Sequence, residues 1–262
     1  MKMRLAGQSC AYVAALFATL NTFAIPHASA VQGGAVPSSH SAIAQVSVSL
    51  GDLSSASLSR SFCSGTLISE QAVVTAAHCL LGKTAAQVVV QFGVEGLSTT
   101  VLRPGMKIVI PLEYQPYDQL LPDARETHDI AILFFAGGMP SGFKAAVMVD
   151  QELTQASNQT IVSIAGFGAP QKGTLRTCAT KIEDAQFSRS EFELLSDSNC
   201  ALGGGDSGGA VYVVLNHEVQ LYGLHNWGWH HPDGSVAYSV ETRMSFYGPW
   251  IRTLSANSTD GR

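Results

Sequence analysis

Charge is scarce in this chain. Lysine and arginine together number 15 and aspartate and glutamate 20 among 262 residues, for a formal net charge of −5. A surface built for nucleic acid or an anionic membrane needs clustered basic residues, and no such cluster occurs. Beyond the N-terminus no run approaches the roughly 20 apolar residues of a membrane-spanning helix. Internal repeats and low-complexity tracts are missing. So are a His-Glu-x-x-His pattern and the cysteine–histidine spacing of a zinc site, so neither a metal nor an organic cofactor is expected. Small, β-branched and glycine residues (25 of them glycine) fill the sequence instead, which favours an all-β domain with tight turns.

The first thirty residues read as a leader. Lys2 and Arg4 start it, a mostly apolar stretch covers 10–25, and Ala28-Ser29-Ala30 has the small-x-small form of a signal peptidase site. That stretch is short for a membrane span and carries Thr19, Asn21 and Thr22. The expectation is an exported protein, periplasmic or extracellular, with no membrane attachment after cleavage. The leader and the lean loops point to a bacterial source. Removal of 1–30 takes away two basic residues and no acidic one, so the remainder is more acidic still. It also removes Cys10, leaving Cys63, Cys79, Cys178 and Cys200, which export would allow to form two bridges.

In 31–262, short apolar runs rich in Val, Ile, Phe and Tyr recur between Gly, Pro, Ser and Asn clusters. They lie at 43–50, 65–69, 71–75, 87–92, 107–110, 130–135, 160–165, 210–214 and 219–224. Most have the length of strands, and their spacing suggests sandwiches or barrels. A helical turn is expected at 76–81 and a C-terminal helix at 245–257, its start weakened by Gly248 and Pro249. Glycine and proline gather at 137–150 and mark a joint near the middle.

Three local motifs carry chemistry: Thr75-Ala76-Ala77-His78-Cys79, His128-Asp129-Ile130-Ala131-Ile132-Leu133 and Gly205-Asp206-Ser207-Gly208-Gly209. A serine hydroxyl is a poor nucleophile. It needs a base to take its proton and a third group to hold that base in one tautomer. A histidine, an aspartate and a serine supply those parts. Gly205-x-Ser207-x-Gly209 also fits the nucleophile elbow of α/β-hydrolases, but those enzymes place acid and histidine after the serine. Only a short tail follows Ser207 here, with Asp233, His225, His230 and His231 in it. That histidine group reads as a solvated loop rather than a metal site.

With Val31-Gln32-Gly33-Gly34, Phe62-Cys63-Ser64-Gly65-Thr66-Leu67-Ile68, Gly166-Phe167-Gly168, Asn226-Trp227-Gly228 and Thr242-Arg243-Met244, these motifs resemble, in order, the trypsin/chymotrypsin-like serine proteases. The resemblance implies two six-stranded antiparallel β-barrels, a C-terminal helix and an active site in the cleft between them. It divides the chain into a leader at 1–30 and a protease domain at 31–262, with a first barrel at about 31–145 and a second at about 146–262. It makes Ser207 the nucleophile, His78 the base and Asp129 its orienting acid. The N–H groups of Gly205 and Ser207 become the oxyanion hole, where glycine lets the backbone turn sharply toward substrate. Protein or peptide is the expected substrate, a protein inhibitor an expected partner and a monomer the expected state. The competing reading is an inactive homologue that binds a partner through the same cleft.

The resemblance also pairs Cys63 with Cys79, closing a loop worth roughly 3 kcal/mol. Cys178 and Cys200 then remain as partners for each other. It pairs a new amine at Val31 with Asp206, so leader cleavage would itself activate the enzyme. Counting back from Ser207, Ala201 lies at the base of the S1 pocket and Leu202 follows, which disfavours substrates with Lys or Arg. His225, Asn226, Trp227 and Gly228 line the pocket strand. Glutamyl endopeptidases of this superfamily use a histidine placed like His225 to receive an acidic side chain; a small or apolar pocket is the other option. Asn226 stands where the family has a serine that supports the catalytic aspartate, and its amide can donate in place of that hydroxyl.

Overall fold

The computed structural model describes residues 31, 45–50, 62–93, 100–119, 126–168, 173–197, 200–230 and 236–257. The leader expected at 1–30, Gln32 to Gly34, His231 and Asp233 lie outside the described residues. Strands β1 (Gln45–Leu50), β2 (Phe62–Ser69), β3 (Ala72–Thr75), β4 (Val88–Phe92), β5 (Val101–Val109) and β6 (Ala131–Phe135) close into an antiparallel barrel in the order β1-β2-β3-β6-β5-β4. A short helix, α1 (Ala77–Leu80), follows β3 directly.

The second half adds β7 (Val147–Met148), β8 (Ile161–Gly166), β9 (Arg176–Asp184), β10 (Glu191–Leu195), β11 (Ala210–Leu215), β12 (Glu218–His230) and β13 (Val236–Arg243). Its ring runs β11-β8-β9-β10-β13-β12 and closes through β11 against β12. Two six-stranded antiparallel barrels result, as the resemblance implied. The two-residue β7 is an addition, lying parallel on β12 at Gln220 and Leu221. This architecture overturns the α/β-hydrolase alternative, which requires a parallel sheet flanked by helices. Strand β12 runs on to His230, so the backbone there is strand rather than the loop expected.

Strand alternation explains how the barrels meet. In a strand, successive side chains point to opposite faces. Val73 of β3 and Ala131, Leu133 and Phe135 of β6 point into the first barrel, with Leu67, Val88, Val90 and Phe92. Their neighbours Ala72, Val74, Ile130 and Ile132 point out and pack against Phe167, Tyr212, Leu221 and Leu224 of the second half. Both faces of β3 and β6 are therefore buried, which is why these segments read as continuous apolar runs. A separate core inside the second barrel gathers Val162, Ile164, Ile182, Phe192, Leu194 and Val211, with Val31 buried among them.

Helix α2 (Met244–Asn257) runs through Gly248 and Pro249, although Pro249 removes one intrahelical N–H donor. Packing compensates: Met244, Tyr247, Ile251 and Leu254 form a stripe at helical spacing against the interbarrel core. Among the described residues no helix is long and apolar enough to cross a membrane.

Phe92 anchors the first barrel, with its ring edge-on to Phe135 (5.5 Å) and Phe143 (5.0 Å). Truncation leaves a cavity that this closed ring of strands cannot collapse into. Phe92→Ala is expected to lower stability by about 3–5 kcal/mol, measured by urea unfolding; a loss well under 1 kcal/mol would contradict this packing.

Candidate active site

The register of β3 against β6 pairs Thr75 with Ala131. His78 lies three residues beyond Thr75 and Asp129 two residues before Ala131, so the two ends emerge side by side. The Asp129 carboxylate then grips His78 twice. Its Oδ1 accepts the backbone N–H of His78 at 2.9 Å, and its Oδ2 lies 2.6 Å from Nδ1. A carboxylate at Nδ1 makes that nitrogen the N–H donor and leaves Nε2 of the neutral ring as acceptor. The Asp129 side chain is 5% exposed and the His78 side chain 39%, so the acid is sealed while the ring reaches solvent. Burial works against charge on His78, but the hydrogen bond and charge of Asp129 outweigh it and raise the imidazole above its ordinary 6.5.

The turn that delivers Asp129 is strained. His128 has φ +52°, rare for a residue with a side chain. It is held by Nδ1 against the Tyr247 hydroxyl at 2.6 Å and by Nε2 3.6 Å from Glu126. The Thr242 hydroxyl donates to the Asp129 carbonyl at 2.9 Å. None of these partners was legible from local sequence.

Ser207 comes from the turn before β11, and this turn is stitched to the first barrel. The Ser64 N–H on β2 donates to the Ser207 carbonyl (2.9 Å), and the Ser64 hydroxyl to the Gly205 carbonyl (2.9 Å). Gly208 packs so closely on Thr75 and Ala76 that a Cβ there would lie 2.2 Å from the Thr75 hydroxyl. The Ser207 backbone is thereby fixed against the segment leading into His78. Among the described residues the Ser207 hydroxyl makes no hydrogen bond to the His78 ring; such contacts are often loose without substrate. Gly205 has φ +107°, a conformation open to glycine alone at little cost. Among the described residues neither the Gly205 nor the Ser207 N–H is taken by an acceptor.

Beneath this turn, Asp206 is fully buried. Its carboxylate accepts the N–H groups of Val31 (3.0 Å), Gly203 (2.9 Å) and Gly168 (3.0 Å). Burial pushes its carboxyl up, against those N–H groups and the neighbouring His225. The Val31 nitrogen thus bonds Asp206, with its side chain in the second barrel's core.

The expected disulfides are both formed, Cys63–Cys79 and Cys178–Cys200. The first ties β2 to α1 beside His78. Cys63, His78 and Cys79 bring three ligand-type atoms together, but both sulfurs are consumed in the bridge and offer no thiolate to a metal.

Ala201 is buried and Leu202 packs against the second barrel's core. The Trp227 ring stacks on Tyr117 at 4.4 Å and meets Phe187 edge-on at 6.5 Å, two aromatic neighbours the sequence did not indicate. Gly228 continues the strand opposite Ser239. His225 is 1% exposed, with Nδ1 2.6 Å from the buried Glu241 carboxylate, and its Nε2 has no partner among the described residues. Glu241 faces it directly across β12 and β13 and had no local signal.

Asn226 differs from expectation. Its amide donates to the Thr127 hydroxyl (2.6 Å) and to Glu191 Oε1 (3.1 Å), not to Asp129. The side chain is one bond longer than serine and reaches Thr127.

A family model described as Trypsin matches residues 31–251. Among curated proteins, trypsin zeta of Drosophila melanogaster is 27% identical over 228 residues, covering 74% of each chain. Trypsin iota of the same fly is 24% identical over 206 residues, covering 72% of this chain and 77% of its own. Trypsin theta of Drosophila erecta is 39% identical over 75 residues, 29% of this chain and 26% of its own. With two antiparallel barrels and a family match over most of its length, the chain belongs to the trypsin family of serine peptidases.

Proposed function

We propose that the chain is an exported serine endopeptidase that works through an acyl-enzyme, with Ser207 as nucleophile, His78 as base and Asp129 as orienting acid. The observation that supports this reading is the double grip of Asp129 on His78, which occupies Nδ1 and leaves Nε2 of the neutral ring as the acceptor. Ser207 Oγ attacks the scissile carbonyl while Nε2 takes its proton. The N–H groups of Gly205 and Ser207 receive the developing oxyanion, and the imidazolium returns the proton to the leaving amine. Water then repeats the sequence on the ester. In this reading 1–30 is removed on export, and the two barrels divide near 145.

Activation follows from Asp206. In the full chain the Val31 nitrogen is a peptide N–H; cleavage after Ala30 turns it into an ammonium facing a buried carboxylate. That pair orders the 203–207 turn and with it the oxyanion donors.

The pocket has no acid at Ala201 for a Lys or Arg side chain. His225 Nε2, without a partner among the described residues and on a ring held at Nδ1 by Glu241, favours an acidic P1 residue whose carboxyl group would bond it. The near-complete burial of His225 favours a second reading, a small or apolar P1 residue over Ala201.

A serine-directed fluorophosphonate is expected to label wild-type protein at Ser207, with labelling lost in Ser207→Ala and His78→Ala and peptide hydrolysis reduced by several orders of magnitude. Folded wild-type protein that never labels makes the chain a binding module instead.

The acid limb of kcat/KM reports His78, which must be neutral to accept a proton. Because its pKa is raised, activity is lost as pH falls through a value above 6.5. A limb centred well below that value contradicts the Asp129 contact.

A peptide panel varied at P1 is expected to show kcat/KM for Glu on the order of 100-fold above that for Lys or Arg. Cleavage after Ala, Leu or Phe but not Glu selects the apolar reading.

N-terminal sequencing of secreted protein is expected to begin at Val31, and an added Met before Val31 or Asp206→Asn to reduce kcat at least tenfold. A start well past Val31 removes the activation scheme.

A further inference from the structure

Behind the Asp129 turn lies a second acid that the peptidase chemistry does not require. Glu191 on β10 is fully buried. Its Oε1 accepts the backbone N–H of Thr127 (3.0 Å), the Thr127 hydroxyl (2.5 Å) and the Asn226 amide (3.1 Å). Its Oε2 has no partner among the described residues. Thr127 is two residues before Asp129, and Asn226 lies on the pocket strand between His225 and Trp227. One carboxyl therefore ties the acid-bearing turn of the first barrel to the substrate strand of the second.

We propose that Glu191 is a positioning residue for the Asp129–His78 pair: it anchors the turn through Thr127 and Asn226, and its ionisation sets how readily His78 holds a proton. This rests on the serine endopeptidase reading above.

The physics is that of two acids sharing one dry region. An ionised Glu191 adds negative charge behind Asp129, which favours imidazolium at His78; a neutral Glu191 withdraws that help. Burial pushes the Glu191 carboxyl up to about 7, against the Thr127 hydrogen bonds and aided by the charges of Asp129 and Glu126. The His78 imidazole is likewise raised above its ordinary value. Other charged or titratable groups lie around it. From the same turn come Glu126 and His128, the latter bonded to Tyr247 of α2. Arg243 of β13 donates to the Glu191 carbonyl and to the carbonyls of Ala185 and Ser188. His225 and Glu241, on β12 and β13, are paired with each other. Among the described residues no cation bonds the Glu191 carboxylate itself.

Protonating Glu191 makes His78 harder to protonate, so the two sites oppose each other and the wild-type His78 titration is spread wider than a one-proton curve. The test follows the low-field Nδ1 proton of His78 by NMR from pH 5 to 9, alongside the acid limb of kcat/KM. Glu191→Gln keeps an oxygen for Thr127 and Asn226 and removes the charge. It is expected to narrow the titration to one proton and lower its midpoint by on the order of half a pH unit. A purely structural role would lower kcat at every pH and leave the midpoint in place. If the Gln variant does not fold, Thr127→Val serves: it removes the hydroxyl that favours ionised Glu191 and moves the midpoint in the same direction. A wild-type one-proton curve, or an unmoved midpoint in the folded variant, overturns the proposal. The NMR readout needs no turnover, and fluorophosphonate labelling of wild type judges the peptidase reading separately.

Discussion

The pairing of β3 with β6 is the constraint on which this molecule depends. Both strands are buried on both faces, one face filling the first barrel and the other the junction with the second. A slip of β3 by one residue would turn Val73 outward and Ala72 and Val74 inward, exchanging its two unlike faces. It would also shift His78 relative to Asp129 by about 3.3 Å, more than a 2.6 Å contact can absorb. Core packing and site geometry are therefore specified by the same register. A chain that buries these side chains correctly has already brought its acid and imidazole together.

A second theme is the number of acids withdrawn from water around the junction. Asp129, Glu191, Asp206 and Glu241 are all buried. Removing a carboxylate from water is costly unless donors replace the lost solvent, and these four are served unequally. Asp206 draws N–H groups from three separate segments, so its satisfaction depends on Val31, the 203–207 turn and the segment after β8 being in place together. Glu191 and Glu241 each bond through one oxygen and leave the other unpartnered among the described residues. For Glu191 the burial favours the protonated carboxyl.

Much of this was legible in the sequence because the signals were local. His78, Asp129 and Ser207 each stand in a short motif, and the runs at 71–75 and 130–135 are apolar throughout because both of their faces are covered. Other elements were hidden for definite reasons. In β5, Pro104 and Gly105 interrupt the pattern, so only its end was read; a register shift between Gly105 and Lys107 accommodates them. In β9, most side chains are not fully buried and the alternation is weak. β10 and β13 carry Glu191 and Glu241 at buried positions, where a charge argues against core. Those two glutamates matter only through partners far along the chain, such as Thr127 and His225, and no window of sequence contains such a pair. The same holds for Tyr117 and Phe187 against Trp227.

The exchange of serine for asparagine at position 226 shows how one such hidden partner changes the logic of the site. A short hydroxyl there could donate to the Asp129 carboxylate. The longer amide spans to Thr127 and Glu191 instead, so support for the aspartate moves one layer outward. Among the described residues, both hydrogen bonds to the Asp129 carboxylate then come from His78. Both oxygens of the carboxylate thus serve His78, and their hydrogen bond and charge favour the protonated ring. The turn must then be held by other means: the strained His128 backbone, the Tyr247 hydroxyl, the Thr242 bond to the Asp129 carbonyl and the Thr127–Glu191 bonds. Asn226 and Glu191 thus act together: the amide donates to the glutamate's Oε1 as well as to the Thr127 hydroxyl, and the glutamate tolerates burial because donors meet it there.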